Sequence, residues 1–489
     1  MAAKKQKIEF APWEPDVAIL DGQAAHEAKN VLPAKRGYTS MPGLAELHFP
    51  ALGSRPLAVW SRRQNNDTIT CVVATASGIY SLESGRWVQK YSGTAVSDNR
   101  QIVDYGSDLY VLWGTKLLRA SVGATVGSFS EVSGAPLGNR LCVVQDFLCI
   151  GELSDYPGGI HWSAIDDPTS WPAIGTTEAI NKQSDRQIFP VGGKVQAIVG
   201  GLSAGVTGII FLEHAVQKAT YVGVPYIFQF EPIERSRGIL APKSAVVAGS
   251  ICIYLAEDGW RATDGSTSKS IGAERVDDWF FSHCSSDRLG EVMGVHDTQR
   301  RLCWWAFSSD ICPAGQYDRV LVYNYEMDRW SWGEIACEYL HQDNTRGLTL
   351  EDLDAYGQID GLPFASLDSA ALRPGRVVLG GFTTGHKLAS MNGPNLEGVI
   401  TTAEFGGDRF MVHGLRPLVD GAEAEALPVY RSRQMDAQAF GDYAPQSRDG
   451  VCYQHISTVY LTAQVRIPAG VEWRHAVGVE ALIEPEGGM

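Results

Sequence analysis

Two stretches of this 489-residue chain carry residue types that do chemistry when they are held in the right geometry. Gly201-Leu-Ser203-Ala-Gly205 has the spacing of a nucleophile elbow, where a serine on a strained strand-to-helix turn attacks an acyl carbon. The residues that follow, Val206 to Leu212, form a β-branched and aromatic run with no helix pattern, so the oxyanion donors are missing and a hairpin turn is expected. Asp352, Asp354 and Asp360 cluster around Gly357 as in a calcium loop. The position that would need a bidentate carboxylate is Pro363, so a solvated acidic loop without metal is expected.

Weaker matches lead the same way. Ser81-Leu-Glu83-Ser-Gly85-Arg-Trp87 approaches the Asp-box turn of sialidase propellers, with Glu for Asp and one residue short. His26-Glu27 lacks the second histidine of a zinc helix, and no phosphate-binding glycine loop occurs. His475 lies on an apolar strand face and is expected in the core. Asn66-Asp-Thr68 is a formal glycosylation acceptor in a chain with no other sign of secretion. Lys4, Lys5 and Lys7 read as a frayed terminus or an arm that reaches a neighbouring subunit. No catalytic constellation, cofactor motif or metal set emerges, and a non-enzyme is expected.

The elements that must position these residues are β-strands. Short β-branched and aromatic runs, closed by Gly, Asp, Asn or Ser, recur throughout, and helical periodicity is scarce. Apolar residues make up 44% and charged residues 20%, ordinary for a globular protein, and 52 glycines supply many turns. Nine cysteines without any C-x-x-C exclude a disulfide framework and a zinc pattern. Cys142, Cys149, Cys252 and Cys303 sit in apolar runs and read as buried free thiols of a chain folded in a reducing cytoplasm. A net charge of −15 argues against a protein that grips phosphates, yet suits a wall that nucleic acid slides past. The N-terminus has no apolar segment of the signal-peptide kind. The uncharged run from Val195 to Leu212 holds Gly200, Gly201, Gly205 and Gly208, so two strands around a turn are expected there, not a membrane span.

A repeat organises these strands. Tyr80-Ser-Leu-Glu83-Ser-Gly-Arg86-Trp87 returns as Tyr323-Asn-Tyr-Glu326-Met-Asp-Arg329-Trp330, with Tyr, Glu, Arg and Trp at identical spacing. Each copy reads as the outer hairpin of a propeller blade, closed by a two- to four-residue turn, with the Trp large enough to fill the wedge between blades. Ile251 to Trp260 is a looser copy. Further strand groups start near Arg140, Lys194, Ala241 and Gly290. The expected architecture is all-β: an irregular six-bladed β-propeller followed by a small β-sandwich platform domain. Tyr80, Trp87, Trp260, Tyr323 and Trp330 are its structural anchors. Residues 1–50 read as an extended arm, 51–335 as the propeller, 336–390 as an acidic connector and 391–489 as the C-terminal domain. The arm is expected to lie across the C-terminal domain or a neighbour. In that domain Val459, Leu461, Ala463, Val465 and Ile467 alternate with polar residues, and Trp473, His475, Val477, Val479 and Ala481 form the apolar side of a returning strand.

Motifs along nearly the whole chain resemble, in order, the tail hub and nozzle proteins of short-tailed bacteriophages. They begin with Phe10-Ala-Pro-Trp13-Glu-Pro-Asp16, Glu27-Ala-Lys-Asn30-Val-Leu-Pro33, Gly37-Tyr38 and Pro42-Gly43-Leu44. They continue through Ile160 to Trp171, Phe228-Gln-Phe-Glu231-Pro-Ile, Glu257-Asp-Gly259-Trp260, Leu321-Val-Tyr323-Asn324-Tyr and Ser366-Leu-Asp-Ser369. They close with Arg416-Pro-Leu-Val-Asp420-Gly421 and Ile467-Pro-Ala-Gly470-Val-Glu-Trp473. The resemblance implies a structural virion protein of the tail, assembled in the bacterial host cytoplasm as a homo-hexamer ring below the portal and adaptor. It implies contact with the adaptor (head-to-tail connector) protein, with tail fibres or spikes and with the host outer surface. Double-stranded DNA would be retained and then ejected along the shared axis, as passing cargo only. Six copies at −15 each would carry about −90. The competing expectation is a propeller-based tail hydrolase or carbohydrate-binding protein, which would need Glu83, Arg86, Glu326 and Arg329 to converge at the propeller mouth. Their turn positions place them on its rim.

Overall fold

A computed structural model describes residues 4–19, 23–64, 69–95, 97–202, 205, 207–345 and 375–486. Six four-stranded antiparallel sheets stand as separate blades around one axis, as the sequence leads one to expect. Their innermost strands are Ala58–Arg63, Arg100–Tyr105, Gly138–Val144, Val195–Leu202, Val246–Ala248 and Tyr339–Asn344. A further four-stranded unit, Met293–Asp297, Leu302–Phe307, Tyr317–Asn324 and Arg329–Cys337, sits between the fifth and sixth blades. It closes the ring, and its outer strand runs on into a 15-stranded sheet. We call it the shared blade.

The second strand of each blade explains why the ring forms. Ile69–Ala74, Asp108–Trp113, Phe147–Leu153, Thr207–Leu212, Ile251–Ala256 and Leu302–Phe307 are almost continuously buried. A strand covered by a neighbouring blade on both faces needs apolar side chains in both directions, and unbroken apolar runs supply them. The run from Val195 to Leu212 holds two paired strands, Val195–Leu202 and Thr207–Leu212, with a strand and not a helix from Thr207; Ser203 lies outside the described residues.

The two repeat copies differ in register. Ser84 and Gly85, both at positive φ, make a two-residue turn that sets Glu83 opposite Arg86. In the shared blade the turn takes four residues, so Tyr323 lies opposite Trp330 and the rings stack at 4.3 Å. Trp87 reaches the neighbouring blade instead: its Nε1 donates to the Pro50 carbonyl at 2.8 Å and its ring lies 6.2 Å from Phe382. Trp260 fills the wedge between the fifth and shared blades, 4.4 Å from Trp305.

The propeller extends past residue 335. Tyr339–Asn344, Val377–Phe382 and Leu388–Ser390 build the sixth blade, in the region the sequence reads as a connector. Its fourth strand is Ala45–Glu46, from the segment read as part of the arm: Ala389 pairs with Glu46 and Ser390 with Ala45. An early segment thus closes the ring on a late one. The pattern break that suggests a connector is a long excursion between the first two strands, whose residues 346–374, including Asp352, Asp354 and Asp360, lie outside the described residues.

The C-terminal domain is built from long strands bent by register shifts, chiefly Phe405–Val419, Glu425–Arg431, Cys452–Ile467 and Ala476–Pro485. Leu461, Ala463, Val465 and Ile467 are buried in alternation. The returning strand begins at Ala476, and His475 precedes it as an exposed side chain, which corrects the core placement read from the sequence. Asp420 explains the early stop, because its carboxylate accepts the backbone N–H groups of Arg474 and His475 and holds that segment in a loop. One hydrophobic core runs from Trp260, Trp305 and Trp330 through Trp13 and Tyr38 to Val412, Leu461 and Val479, joining propeller and C-terminal domain without a break.

Candidate functional site

Three places hold enough exposed or buried polar chemistry to be functional: the seam between the domains, the grooves beside it and the axial channel.

The seam is stitched by the arm. Lys4–Glu9 adds antiparallel to Ala476–Pro485, from Lys4 opposite Ile483 to Glu9 opposite Gly478. Ala28–Lys29 then sits between the shared blade and the strand Gly398–Thr401. Trp13 is fully buried, meets Trp279 edge-on at 4.8 Å and donates from Nε1 to the His26 carbonyl. Both carboxylate oxygens of Asp16 accept N–H groups, from Asp278 and Trp279, at the start of the helix Asp277–His283. Such a carboxylate satisfies orphan helix donors. Glu14 pairs with Arg275 at 2.8 Å, and Arg275 also pairs with Asp328 at 2.7 Å. Glu27 accepts from Trp332 Nε1 at 2.7 Å, and Asn30 bridges Glu334 N and the Glu397 carbonyl. The opening motifs of the chain are therefore the residues that tie the propeller to the C-terminal domain. Their types alone did not reveal this role.

Two carboxyls at the seam are pushed far up. Burial raises Asp277 to about 7, with the nearby carboxylates of Asp16, Asp258 and Asp278 adding to it. Burial likewise raises Glu27 to about 7. Beside the seam lie two open grooves, one of about 800 Å³ lined in part by Ser40, Asn395, Asp420 and His475, the other of about 870 Å³ between Lys35, Arg36 and Asp328.

The residues needed by the hydrolase expectation do not meet. Glu83, in the first blade, pairs with Lys90 at 2.9 Å and accepts from Val126 N of the second blade. Glu326 pairs with Arg301 in the shared blade. Arg329 is not on the rim at all; it is buried, donating to the carbonyls of Ala34 at 2.9 Å and Phe10 at 3.3 Å. Among the described residues no group of three or more His, Cys, Asp or Glu is placed to hold a metal. None of the nine cysteines is in a disulfide; Cys142 is partly exposed and the other eight are buried, and burial drives the thiols of Cys142, Cys149, Cys252 and Cys303 upward, away from the nucleophilic form.

The axial channel is a cavity of about 590 Å³ walled by the innermost strands of five blades and of the shared blade, and by the turn that leads into the fifth blade. Blades pack here through side-chain amides. Asn99 and Gln101 both donate to the Asn139 carbonyl, and Gln101 accepts from Leu141 N at 2.7 Å. Arg100 is buried and spends its guanidinium on the carbonyls of Thr75, Ala76, Ser97 and Asn99, with its face on Trp113 at 3.8 Å. Arg140 pairs with Glu152 at 3.2 Å and reaches Gln196, whose amide in turn donates to Glu213. Two cations remain. Arg55 packs closely over Gly315 and has no carboxylate within ion-pair distance among the described residues. Lys243, on the 3₁₀ turn Pro242–Ser244, donates to the Leu57 carbonyl at 3.3 Å and lies 5.9 Å from the Tyr339 ring.

Lys243 is wetted by the channel yet ringed by protein. Burial, then the charges of Arg55 and Arg140, pull its ammonium down to about 8, and Glu291 opposes them only weakly. Sequence reasoning did not single out these residues, which come from segments far apart in the chain. The one local signal is a proline beside each: Arg55-Pro56 and Pro242-Lys243 both precede the first strand of a blade.

No family model matches the chain, and no curated protein matches it. Among solved structures it is similar to BBS1N in complex with ARL6DN, at 10% identity and a TM-score of 0.42, over 72% of this chain and 97% of that one. It is also similar to the AfRom2 CNH domain, at 9% identity and a TM-score of 0.39, over 71% and 97%. The Neurospora crassa Pan2 WD40 domain follows at 5% identity and a TM-score of 0.35, over 60% and 83%.

Proposed function

We propose that this chain is a structural subunit of the tail of a short-tailed phage, one of six in a ring below the portal and adaptor, with DNA passing along the ring's axis. The observation that supports this reading best is the seam. The arm, the shared blade and the C-terminal domain form one 15-stranded sheet over one continuous core, so the propeller and platform move as one body. A closed ring needs two different faces held at a fixed angle on every subunit, since each interface joins unlike surfaces. A loosely tethered propeller would not hold that angle. The residues that make the seam, Trp13, Glu14, Asp16, Glu27 and Asn30, belong to the motifs that resemble hub and nozzle proteins. The net charge of −15 suits a conduit that releases DNA. The adaptor would meet the platform, fibres or spikes the outer propeller, and the host surface the far end.

The test is gold labelling of a C-terminal tag on purified particles, viewed by electron microscopy. The expected result is label on the tail axis below the head, at up to six per particle. Label on peripheral fibres, or none on particles, would remove this reading.

A further inference from the structure

We propose that the channel mouth around Arg55 and Lys243 is a binding site for a small, multiply charged oxyanion of the phosphate class. The proposal does not rest on the tail reading. The argument is one of uncompensated charge. Arg140 has Glu152 at 3.2 Å, and the amides nearby are spent on the Asn139 and Leu141 backbone, on Arg140 and on Glu213. Arg55 and Lys243 have no carboxylate within ion-pair distance among the described residues, Glu338 acting on the first and Glu291 on the second only from further off, and Lys243 uses one of its three donors, on Leu57. Like charges brought together in a pocket with restricted water repel, and a chain gains nothing in stability from that arrangement. A dianion between them removes the repulsion and supplies acceptors for the idle donors, in a cavity of about 590 Å³ that admits a small ion with its water. Arg55 is held against Gly315 and Lys243 by its turn and the Leu57 carbonyl, so both donors are placed before the ligand arrives.

The groups that face Lys243 are Arg55 and Arg140, which disfavour its charge, Glu291, which favours it weakly, and the Tyr339 ring. An anion reverses that balance, so binding draws a proton onto Lys243 near pH 8 and weakens as pH rises further.

The experiment is calorimetric titration of the full chain with inorganic phosphate at low ionic strength and pH 7, repeated with Lys243→Met and Arg55→Met. The expected result is saturable binding that falls at least tenfold in each variant, and that is weaker for wild type at pH 9 than at pH 7. Thermal melting with phosphate against chloride at equal ionic strength gives a second readout, with a saturable rise only in wild type. Equal binding by wild type and both variants would place the anion elsewhere and overturn the proposal. No saturable heat, or binding of a short DNA oligonucleotide without any of phosphate, would overturn it as well. Circular dichroism on the variants separates loss of the site from loss of the fold.

Discussion

At the channel mouth Arg55 and Lys243 have no carboxylate within ion-pair distance among the described residues, with Glu291 and Glu338 acting on them only from further off, whereas at the seam the arginines are closed off. Arg275 holds Glu14 and Asp328, Arg329 holds two carbonyls with its guanidinium 5.1 Å from the Tyr38 ring, and Arg431 forms a two-pronged pair with buried Glu404. A buried cation that loses its partner costs several kcal/mol, so a structural joint keeps its charges paired. A wetted channel can leave them open, because water screens them until a ligand arrives. The difference teaches which charges build the molecule and which are available to something outside it.

The largest effect should come from breaking the seam core. Trp260 is fully buried between Trp305 and Phe280, where propeller and platform share one core. Trp260→Ala should cost about 3–5 kcal/mol, read as a lower denaturant midpoint, with a shallower slope if the two domains begin to unfold separately. Arg55→Ala should shift the same midpoint by less than about 0.5 kcal/mol. Equal losses from both would erase the contrast between joint and channel.

A smaller effect should appear with pH, and it belongs to the seam. Asp277 and Glu27 titrate near 7 in the folded protein and near 4 when unfolded. The folded state thus holds more protons between those values, so stability is greatest at the acid end and is lost as pH rises through 7. Carboxylates held low, such as Glu46 beside Lys387, act in the opposite sense but only as pH falls toward 4. Stability should therefore rise on going from pH 8 to pH 6, by on the order of 1 kcal/mol for each raised carboxyl. Asp277→Asn, which keeps an acceptor for Trp260 N, should remove about half of that rise in melting experiments across the window. A pH profile unchanged by this substitution would show that the charge is not confined as the burial implies.

The sequence displays these two regions unequally. The doubly covered second strands, such as Ile69–Ala74 and Leu302–Phe307, are legible because burial on both faces demands unbroken apolar runs. The Tyr-to-Trp repeat is legible as spacing, but its register is not, since a two-residue and a four-residue turn give opposite pairings for the same letters. The sixth blade is hidden because its first strand, Tyr339–Asn344, ends in four consecutive polar residues and is followed by a long excursion, and because its fourth strand is two residues from the far end of the propeller sequence. His475 misleads because a strand phase says nothing of where a carboxylate such as Asp420 will end the pairing. The channel cations are invisible for a related reason. Arg55 and Lys243 come together only once seven strands have closed a ring, and no local pattern encodes that.

The smallest effect is also the sharpest test of the contrast, because its sign differs from that of any joint. Lys243 carries a charge that its surroundings disfavour, down to about 8 from an ordinary 10.5. In the absence of anion, Lys243→Met should leave stability at pH 7 unchanged or raise it by less than about 1 kcal/mol, since wetting of the channel screens much of the repulsion. The unfolded lysine keeps its proton to about 10.5 and the folded one loses it near 8, so between those values the folded wild type gains stability relative to the variant as pH rises. The variant's advantage at pH 7 should shrink toward zero by pH 10, measured as the difference in melting temperature between the two proteins. A lysine that was part of the scaffold would behave the other way, with the variant less stable at pH 7 and the deficit closing as the wild-type ammonium lost its charge.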